Sequence, residues 1–473
     1  QLAAEYHAGG PEEYALIAAV AGRSLDDPDL RISLFAVGDD DQNIYSFAGA
    51  SVKHIRQFEE DYSAKPIFLT DNYRSAANII SAANAVIEGS ADRMKTGNDI
   101  VVDKARRKEP MGGPMSVLDP VAQGRVQILE CPSGNDAQAL AALNELQRLS
   151  HLIPDWTWSR AAIISRDWRK LAPVRDFADA LDIPVEFANE RGPGLWRIRE
   201  MQAFLNAIKE ERSRLFTVTD LRETLSSIPS YSWTDRIDAG LDLLAREIGD
   251  RRLPSDDVVE WLAEWSRESR GEQRGLKLLT AHSAKGLEFD DVIILDGGWE
   301  RPSRAEVADA PRRLFYVAMT RARRNLIVMS NDNHEYLPTR SDAIICRSVV
   351  PDLSAVPGPR RTFQSADLST VDLSFAGRYR ENHPVNAAIA SASTGDPVTL
   401  VFEKDRWHLI DANGDSLGRM ARSFAFPENT RFARADIAAI LERRKDDSDE
   451  AFHHTIRQEK WEVVVPEIVF EAV

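Results

Sequence analysis

Short, almost wholly apolar runs recur along this chain, and nearly every one stops at a polar or glycine-bearing turn. LRISLFAVGD at 30–39 ends on Gly38 and Asp39, and KPIFLTDNYRS at 65–75 runs into the helix-periodic AANIISAANAVIEG. RVQILEC, RAAIISR, LKLLTAH at 276–282, VIILDG at 292–297 and NLIVMS repeat the design. A strand buried on both faces reads as continuous apolar residues, and such strands are joined in parallel through helices packed on the sheet. Residues 136–150 and LAPVRDFADALD have the spacing of those connecting helices. The chain is therefore read as α/β, with a parallel sheet whose strand ends deliver side chains to a ligand crevice.

The remainder departs from that rhythm. Residues 12–30 read as a helix and a polar turn, and 89–124, rich in Gly, Pro and charge, as a loop. Residues 200–270 are helical throughout, with Trp233, Trp261 and Trp265 among acidic and basic residues. RRLFYVAMTRAR reads as a helix, and the Pro/Ser/Asp-rich 333–370 as a linker. From about 371 come short alternating strands (VTLVFE, RWHLID, SLGRMA), a helix (ADIAAILERRK) and a last strand (EVVVPEIVFE), the pattern of a small separate α+β, barrel-like module.

Composition narrows the setting. No stretch approaches 18 continuous apolar residues, so no membrane span is expected, and QLAAEYHAGGPEEY lacks the basic and apolar regions of a signal peptide. Cys131 and Cys346 stand far apart with no metal-ligand spacing, which reads as a reduced, cytoplasmic protein. The net charge of −16 opposes nucleic acid in bulk. Screening acts over roughly 8–10 Å, however, so the local basic clusters at Lys104–Lys108, Arg312–Arg313 and Arg321–Arg324 leave the partner open.

Four blocks carry chemistry. GDDDQNIYSFAGA, Gly38–Ala50, sets three carboxylates, a glutamine and two aromatics at a strand end, which alone is a metal site or a solvated turn. DNYRS holds Tyr73 and Arg74 just past another strand. LLTAHSAKGLEFDDVIILDG, 278–297, opens a buried strand into a small polar turn whose N–H groups and hydroxyls suit phosphate. RRLFYVAMTRAR puts Arg313, Tyr316, Thr320 and Arg321 near one helix face; its bland alternative is a basic amphipathic core helix.

Taken in order, these blocks resemble motifs III (GDDDQNIYSFAGA), IV (NYRS), V (TAHSAKGLEF) and VI (RRLFYVAMTRA) of the UvrD/PcrA/Rep-like superfamily-1 DNA helicases, over about residues 12–332. The resemblance implies RecA-like parallel-sheet motor domains with ATP and Mg²⁺ between them, moving on single-stranded DNA or on duplex with a single-stranded tail, 3′→5′, in DNA repair or recombination. By that likeness Gln42 senses the γ-phosphate, Tyr73 stacks on adenine, Arg74 reaches the γ-phosphate and Arg321 is an arginine finger. Glu288 contacts the ribose, with Gly286 beside it in the nucleotide loop. Tyr45 and Phe47 stack on DNA bases, while Thr280 and His282 touch its backbone.

The departures matter as much. No G-x-x-x-x-G-K-[ST] occurs, Gly-Lys is absent altogether, and the D-E-x-Q-D block that would hold Mg²⁺ is missing. The chain is thus expected to be the C-terminal part of a motor, with the Mg²⁺ ligands in a missing N-terminal segment, and inactive as an ATPase alone. Ala48 stands where the family often has arginine, and the segment between motifs IV and V is short, so its accessory subdomain must be small. The expected partition is 1–64 as the end of the first RecA-like domain, 65–210 and 272–335 as the second, 211–271 as a small helical insertion, 336–370 as a linker, and 371–473 as the C-terminal α+β module. In that module Trp407, Arg419 and Arg422 form either a binding face or a packed tryptophan beside a solvated edge. The rival readings are a non-catalytic, helicase-like DNA-binding or regulatory protein and a nuclease-helicase subunit, the latter without a nuclease carboxylate cluster to support it, since DDDQ at 39–42 is already assigned to motif III.

Overall fold

A computed structural model describes residues 2–5, 11–24, 27, 31–45, 52–91, 93–187, 194–211, 214–228, 232–268, 275–302, 306–331, 335–337, 341–356, 361–364 and 367–473. It divides into two compact units, Gln1–Ala188 with Arg274–Pro357, and Asn189–Gln273 with Gly358–Val473.

The first unit is built on a seven-stranded, all-parallel sheet. Its order is Ile344–Ser348, Val126–Glu130, Ala322–Ser330, Phe289–Ile294, Ala161–Ser165, Leu276–Thr280, Val185–Phe187. The continuous apolar runs have a simple cause: alternate residues bury on opposite faces, and both faces are covered. Ala162 and Ile164 join Val292, Leu326 and Val328 beneath the helices Ala77–Ile87 and Ala310–Met319. Ala161 and Ile163 join Ile293, Ile327 and Met329 beneath Asn135–Leu152 and Ala172–Ala180.

Two connections position the site. Eight residues link Thr280 to Phe289, although the strand Ala161–Ser165 lies between their strands in the sheet. The connection therefore returns from the C-terminal to the N-terminal edge of the sheet across its face, where Ala281, Ala284 and Leu287 pack on the core. At the start of the chain, Leu2–Glu5 and Leu34–Val37 pair in parallel. Helices Pro11–Val20 and Val52–Tyr62 meet near them through Tyr14 and Phe58. Leu16, Val20, Phe35 and Val37 of this segment stay exposed, Phe35 at 57%.

The second unit joins four helices, Arg199–Glu210, Val218–Ser226, Ser232–Ile248 and Ser255–Glu268, to a six-stranded antiparallel sheet. They share one core: Phe204, Leu221, Leu241 and Leu262 belong with Ile440, Val464 and Phe470. The sequence partition drew these helices and the tail as separate pieces; the structure gives them a common interior.

Three expectations are corrected. ADIAAILERRK is not helical: Thr430–Arg444 is one long strand paired residue by residue with Lys460–Ala472. Its Ala, Leu, Glu and Arg favour helix locally, but that preference is worth less than 1 kcal/mol per residue and yields to long-range pairing on a buried face. The stretch 336–370, expected as a linker, contains two paired strands. Ile344–Ser348 is the edge strand of the parallel sheet and Arg361–Gln364 pairs with the tail. Residues 65–70, expected as a strand, have no regular structure, and only Asp71–Asn72 pairs, with Val101–Val102.

Candidate functional site

Around Gly38–Tyr45 the strand Leu34–Val37 ends and Asp39 caps a single 3₁₀ turn, Asp40–Gln42, by accepting from Asp41 N at 3.1 Å. The three carboxylates are the one group with metal-site proximity among the described residues. Cations and a backbone donor already occupy them. Arg93 donates Nε and Nη2 to the two oxygens of Asp41, both at 2.9 Å, and Lys95 Nζ lies 2.5 Å from Asp39 and 3.4 Å from Asp41. Met94 N donates to Asp40 at 2.6 Å, while burial pushes the Asp40 carboxyl above its ordinary value. Burial pulls the Lys95 ammonium down, but Asp39 and Asp41 outweigh it and hold its pKa up. The cluster is a buried ion-pair knot whose carboxylates are already taken by Arg93, Lys95 and the Met94 N–H.

Gln42 Nε2 donates to Asp39 at 2.7 Å, which fixes its amide at the turn. The helix Ala310–Met319 packs against the same turn. Its Tyr316 hydroxyl has a strongly raised pKa, from burial first and then from the charges of Asp39 and Asp41. The helix expected over 312–323 stops at Met319, because Phe289 N already pairs with Arg321 O at 2.9 Å and Ala322 begins a strand. Arg321 therefore sits in the turn rather than on the face shared by Arg313 and Tyr316.

That turn holds Arg321 almost wholly buried, 2% exposed. Its guanidinium donates to Val317 O at 2.9 Å, Leu287 O at 3.2 Å and Thr320 Oγ1 at 3.0 Å, and among the described residues it has no carboxylate within ion-pair distance. Burial, and then the neighbouring Arg74, lower its pKa to about 10. A buried cation solvated only by neutral carbonyl and hydroxyl oxygens is costly. Such a group is primed for an anion.

Arg74 lies beside it. Asn72 Oδ1 accepts from Arg74 N and Ser75 N, and Ser75 Oγ donates to Ala322 O at 2.7 Å, so the NYRS turn is pinned to the start of the Ala322–Ser330 strand. Arg74 Nε donates to Glu288 at 2.5 Å, and that bond, reinforced by Arg323 at 3.4 Å, holds the Glu288 carboxyl below the usual range. Beside Glu288 opens a cavity of about 340 Å³ lined by Ser159, Arg160, Asp290, Arg323 and Arg324. The Tyr73 ring is 76% exposed. Gly286 adopts φ +81°, a left-handed conformation that turns the chain toward Glu288.

On the other side of the Thr280–Glu288 connection, Thr280 Oγ1 meets Ser283 Oγ at 2.7 Å. The Tyr45 ring lies under Lys285 Nζ at 4.8 Å and 6.2 Å from the His282 ring, half-buried against the core. Thr280, His282 and Tyr45 thus come together, whereas Phe47 lies outside the described residues. Sequence reasoning missed Arg93 and Lys95, which sit in what read as a loop; an arginine and a lysine two apart opposite three aspartates were the available signal. The cluster at Lys104–Lys108 is partly spoken for, since Arg106 binds Asp103, Asn72 O and Ser75 O.

Comparison with known proteins bears directly on this arrangement. The family described as the UvrD/REP helicase N-terminal domain matches residues 5–63, and the UvrD-like helicase C-terminal domain matches residues 197–333. Both matches are to domains of UvrD-like helicases, and they support a UvrD-like reading of the chain. It is 24% identical over 404 residues to DNA helicase II of Haemophilus influenzae, covering 67% of this chain and 55% of that protein. With the ATP-dependent DNA helicase PcrA of Staphylococcus epidermidis the identity is 25% over 419 residues, covering 72% and 56%. The ATP-dependent DNA helicase UvrD1 of Mycobacterium bovis shares 43% over 93 residues, 20% of this chain and 12% of that one. The chain spans about half the length of the DNA helicase II and PcrA relatives. Among the described residues of this UvrD-like chain, no helix is long and apolar enough to cross a membrane.

Proposed function

We propose that this chain carries the second half of the ATP site and much of the single-stranded DNA path of a 3′→5′ DNA translocase or helicase that serves repair or recombination. The observation that carries the reading is a buried Arg321, with no carboxylate at ion-pair distance among the described residues, beside Arg74 and its partner Glu288, while the turn that holds Gln42 packs on the Ala310–Met319 helix. Two guanidiniums aimed at one region stabilise the charge that develops on a transferring phosphoryl group. In this reading Arg321 and Arg74 bind that charge and Gln42 reports on it. Glu288 leaves Arg74 to accept from the ribose, and the exposed Tyr73 ring covers the base. Thr280, His282 and Tyr45 hold the strand, with Phe47 beside them, through backbone contacts and stacking worth roughly 1–3 kcal/mol per base.

The phosphate-cradling loop and the Mg²⁺ carboxylate come from residues outside this sequence. Two features support that: the absence of G-x-x-x-x-G-K-[ST], and the apolar surface of Leu16, Val20, Phe35 and Val37, which a first motor domain would cover. The same absence is what favours the second reading, a helicase-like regulator that binds DNA without turnover.

The test is DNA-stimulated ATP hydrolysis by a polypeptide that contains this chain together with a phosphate loop. Arg321→Ala should cut turnover by roughly 10³-fold or more, with DNA affinity in the absence of nucleotide unchanged. A loss below tenfold removes Arg321 from the site. No turnover in the parent polypeptide itself would establish the regulator instead.

A further inference from the structure

Three strands that lie side by side in the parallel sheet, Ala322–Ser330, Phe289–Ile294 and Ala161–Ser165, bring arginines together where they begin. Phe289 faces Ala322 and Asp291 faces Asn325, so the single residue Asp290 faces both Arg323 and Arg324. On the other flank Asp291 faces Ala161, which sets Arg160 beside Asp290. A bulge of this kind is rare between parallel strands, re-aims side chains, and is over-represented beside active sites. Here the outcome is convergence. Arg160 Nη1 and Arg324 Nη1 each lie 3.5 Å from Asp290 Oδ2, and Arg323 Nε lies 3.8 Å from Oδ1.

These guanidiniums are gathered but not consumed. A charge-assisted hydrogen bond runs about 2.7–2.9 Å, and all three contacts are longer. Arg323 also lies 3.4 Å from Glu288, whose nearer partner is Arg74 at 2.5 Å. Setting Arg74 against Glu288 and one arginine against Asp290 leaves two positive charges over. Asp291 does not supply the missing anion. Its oxygens accept from Asn325 and Trp156, both at 2.6 Å, and burial pushes its carboxyl above the ordinary value. About half of each of the three arginine side chains stays exposed, and all three line the cavity of about 340 Å³ beside Glu288.

Size and charge select the ligand. The volume is at the small end of ligand pockets, enough for one or two tetrahedral groups rather than a protein segment. Guanidinium forks match the oxygens of phosphate, and an excess of two charges matches a phosphate dianion. Three forks arriving from two flanking strands suit an anion with oxygens on several sides better than a planar carboxylate. An acidic residue for a ribose hydroxyl, with arginine nearby for a phosphate on that hydroxyl, is also a known way to read a phosphorylated ribose.

We propose that Arg160, Arg323 and Arg324 form a pocket for a phosphate group, either free or carried on the ribose of a nucleotide held at Glu288. The pocket itself stands on the geometry of Asp290 and its arginines. Only the nucleotide source rests on the proposed function, which gives Glu288 to the ribose.

The experiment is titration calorimetry of the full chain with pyrophosphate at fixed ionic strength. Replacing Arg160 and Arg324 together with glutamine should weaken binding about tenfold or more, since hydrogen bonds to charged groups carry that much even when partly exposed. Asp290→Asn removes the competing carboxylate and should bind pyrophosphate tighter. An unchanged calorimetric unfolding transition shows that each variant is folded. Adenosine 3′,5′-bisphosphate and AMP distinguish the sources. A bisphosphate that binds tighter than both AMP and pyrophosphate, with the gain lost in Glu288→Gln, marks a ribose phosphate. Equal affinity of bisphosphate and pyrophosphate marks a free one.

No heat of binding at millimolar pyrophosphate overturns the proposal, as does unchanged affinity in the glutamine pair or no gain in Asp290→Asn. Arg321→Ala separates this pocket from the motor arginines. Loss in that variant alone puts the anion at the proposed phosphoryl site, which overturns the pocket and leaves the proposed function standing. Binding kept in Arg321→Ala and lost in the glutamine pair supports the pocket whether or not the motor reading holds.

Discussion

Arg93→Ala tests the buried knot at Asp39–Asp41. Asp41 is fully buried and both its oxygens accept from Arg93, itself nearly buried. Breaking a buried pair from one side strands the other charge and costs about 3–5 kcal/mol. Lys95 remains 3.4 Å from Asp41, so the low end applies, about 3 kcal/mol. In a domain of this size each kcal/mol moves the melting temperature by roughly 2–4 °C, which places the expected drop at roughly 6–12 °C. Scanning calorimetry is the suitable assay, because it can resolve the first unit's transition from that of the second. Adding Asp41→Asn to Arg93→Ala removes the stranded charge and should recover part of the loss, so the double variant melts above the single. A drop under roughly 1 °C, or a double variant less stable by the sum of the singles, would refute the view that charge compensation governs this turn.

Three further outcomes are expected. Gly286→Ala has open space around the new methyl but must hold φ +81°, so the first unit's transition should fall by the equivalent of about 1–2 kcal/mol; an unchanged midpoint would show that the turn relaxes freely. Tyr73→Ala, at a ring that packs on little, should leave that midpoint alone, within about 0.5 kcal/mol, while raising the KM for ATP of the parent polypeptide, and an unchanged KM would take the ring out of the nucleotide site. In the second unit burial pushes the Asp372 carboxyl upward, yet Arg378 and Arg419 hold it below the ordinary range. Its stabilisation is therefore complete above the unfolded value of about 3.9 and is lost as pH falls through the lower folded value. Melting curves between pH 5 and 2.5 should show that loss, and Asp372→Asn should flatten it.

The sequence was most informative where local and global demands agree. Ala161–Ser165 and Phe289–Ile294 are apolar throughout because both faces of their sheet are covered, and that condition is written into each residue. Arg74, Glu288 and Arg321 were likewise named from their motifs, and the fold brings them together across more than two hundred residues of chain. What escaped was decided at a distance. Thr430–Arg444 carries helix formers, and only its partner Lys460–Ala472 makes it a strand. Ile344–Ser348 is too brief, between polar flanks, to announce that it closes one edge of the parallel sheet. Arg93 and Lys95 gain meaning only opposite Asp39 and Asp41.

The crossing from Thr280 to Phe289 sets a limit on what this scaffold can tolerate. Taking strand rise and spacing as usual, its ends lie on the order of 22 Å apart, and nine peptide steps reach at most roughly 32 Å. Turns that close from Ala284 N to Thr280 O and from Leu287 N to Ala284 O consume most of the difference. Surface loops absorb added residues cheaply because they carry slack; this one carries almost none. Its residue count is a dimension of the sheet, so a graft of this connection must conserve that length before it conserves any side chain.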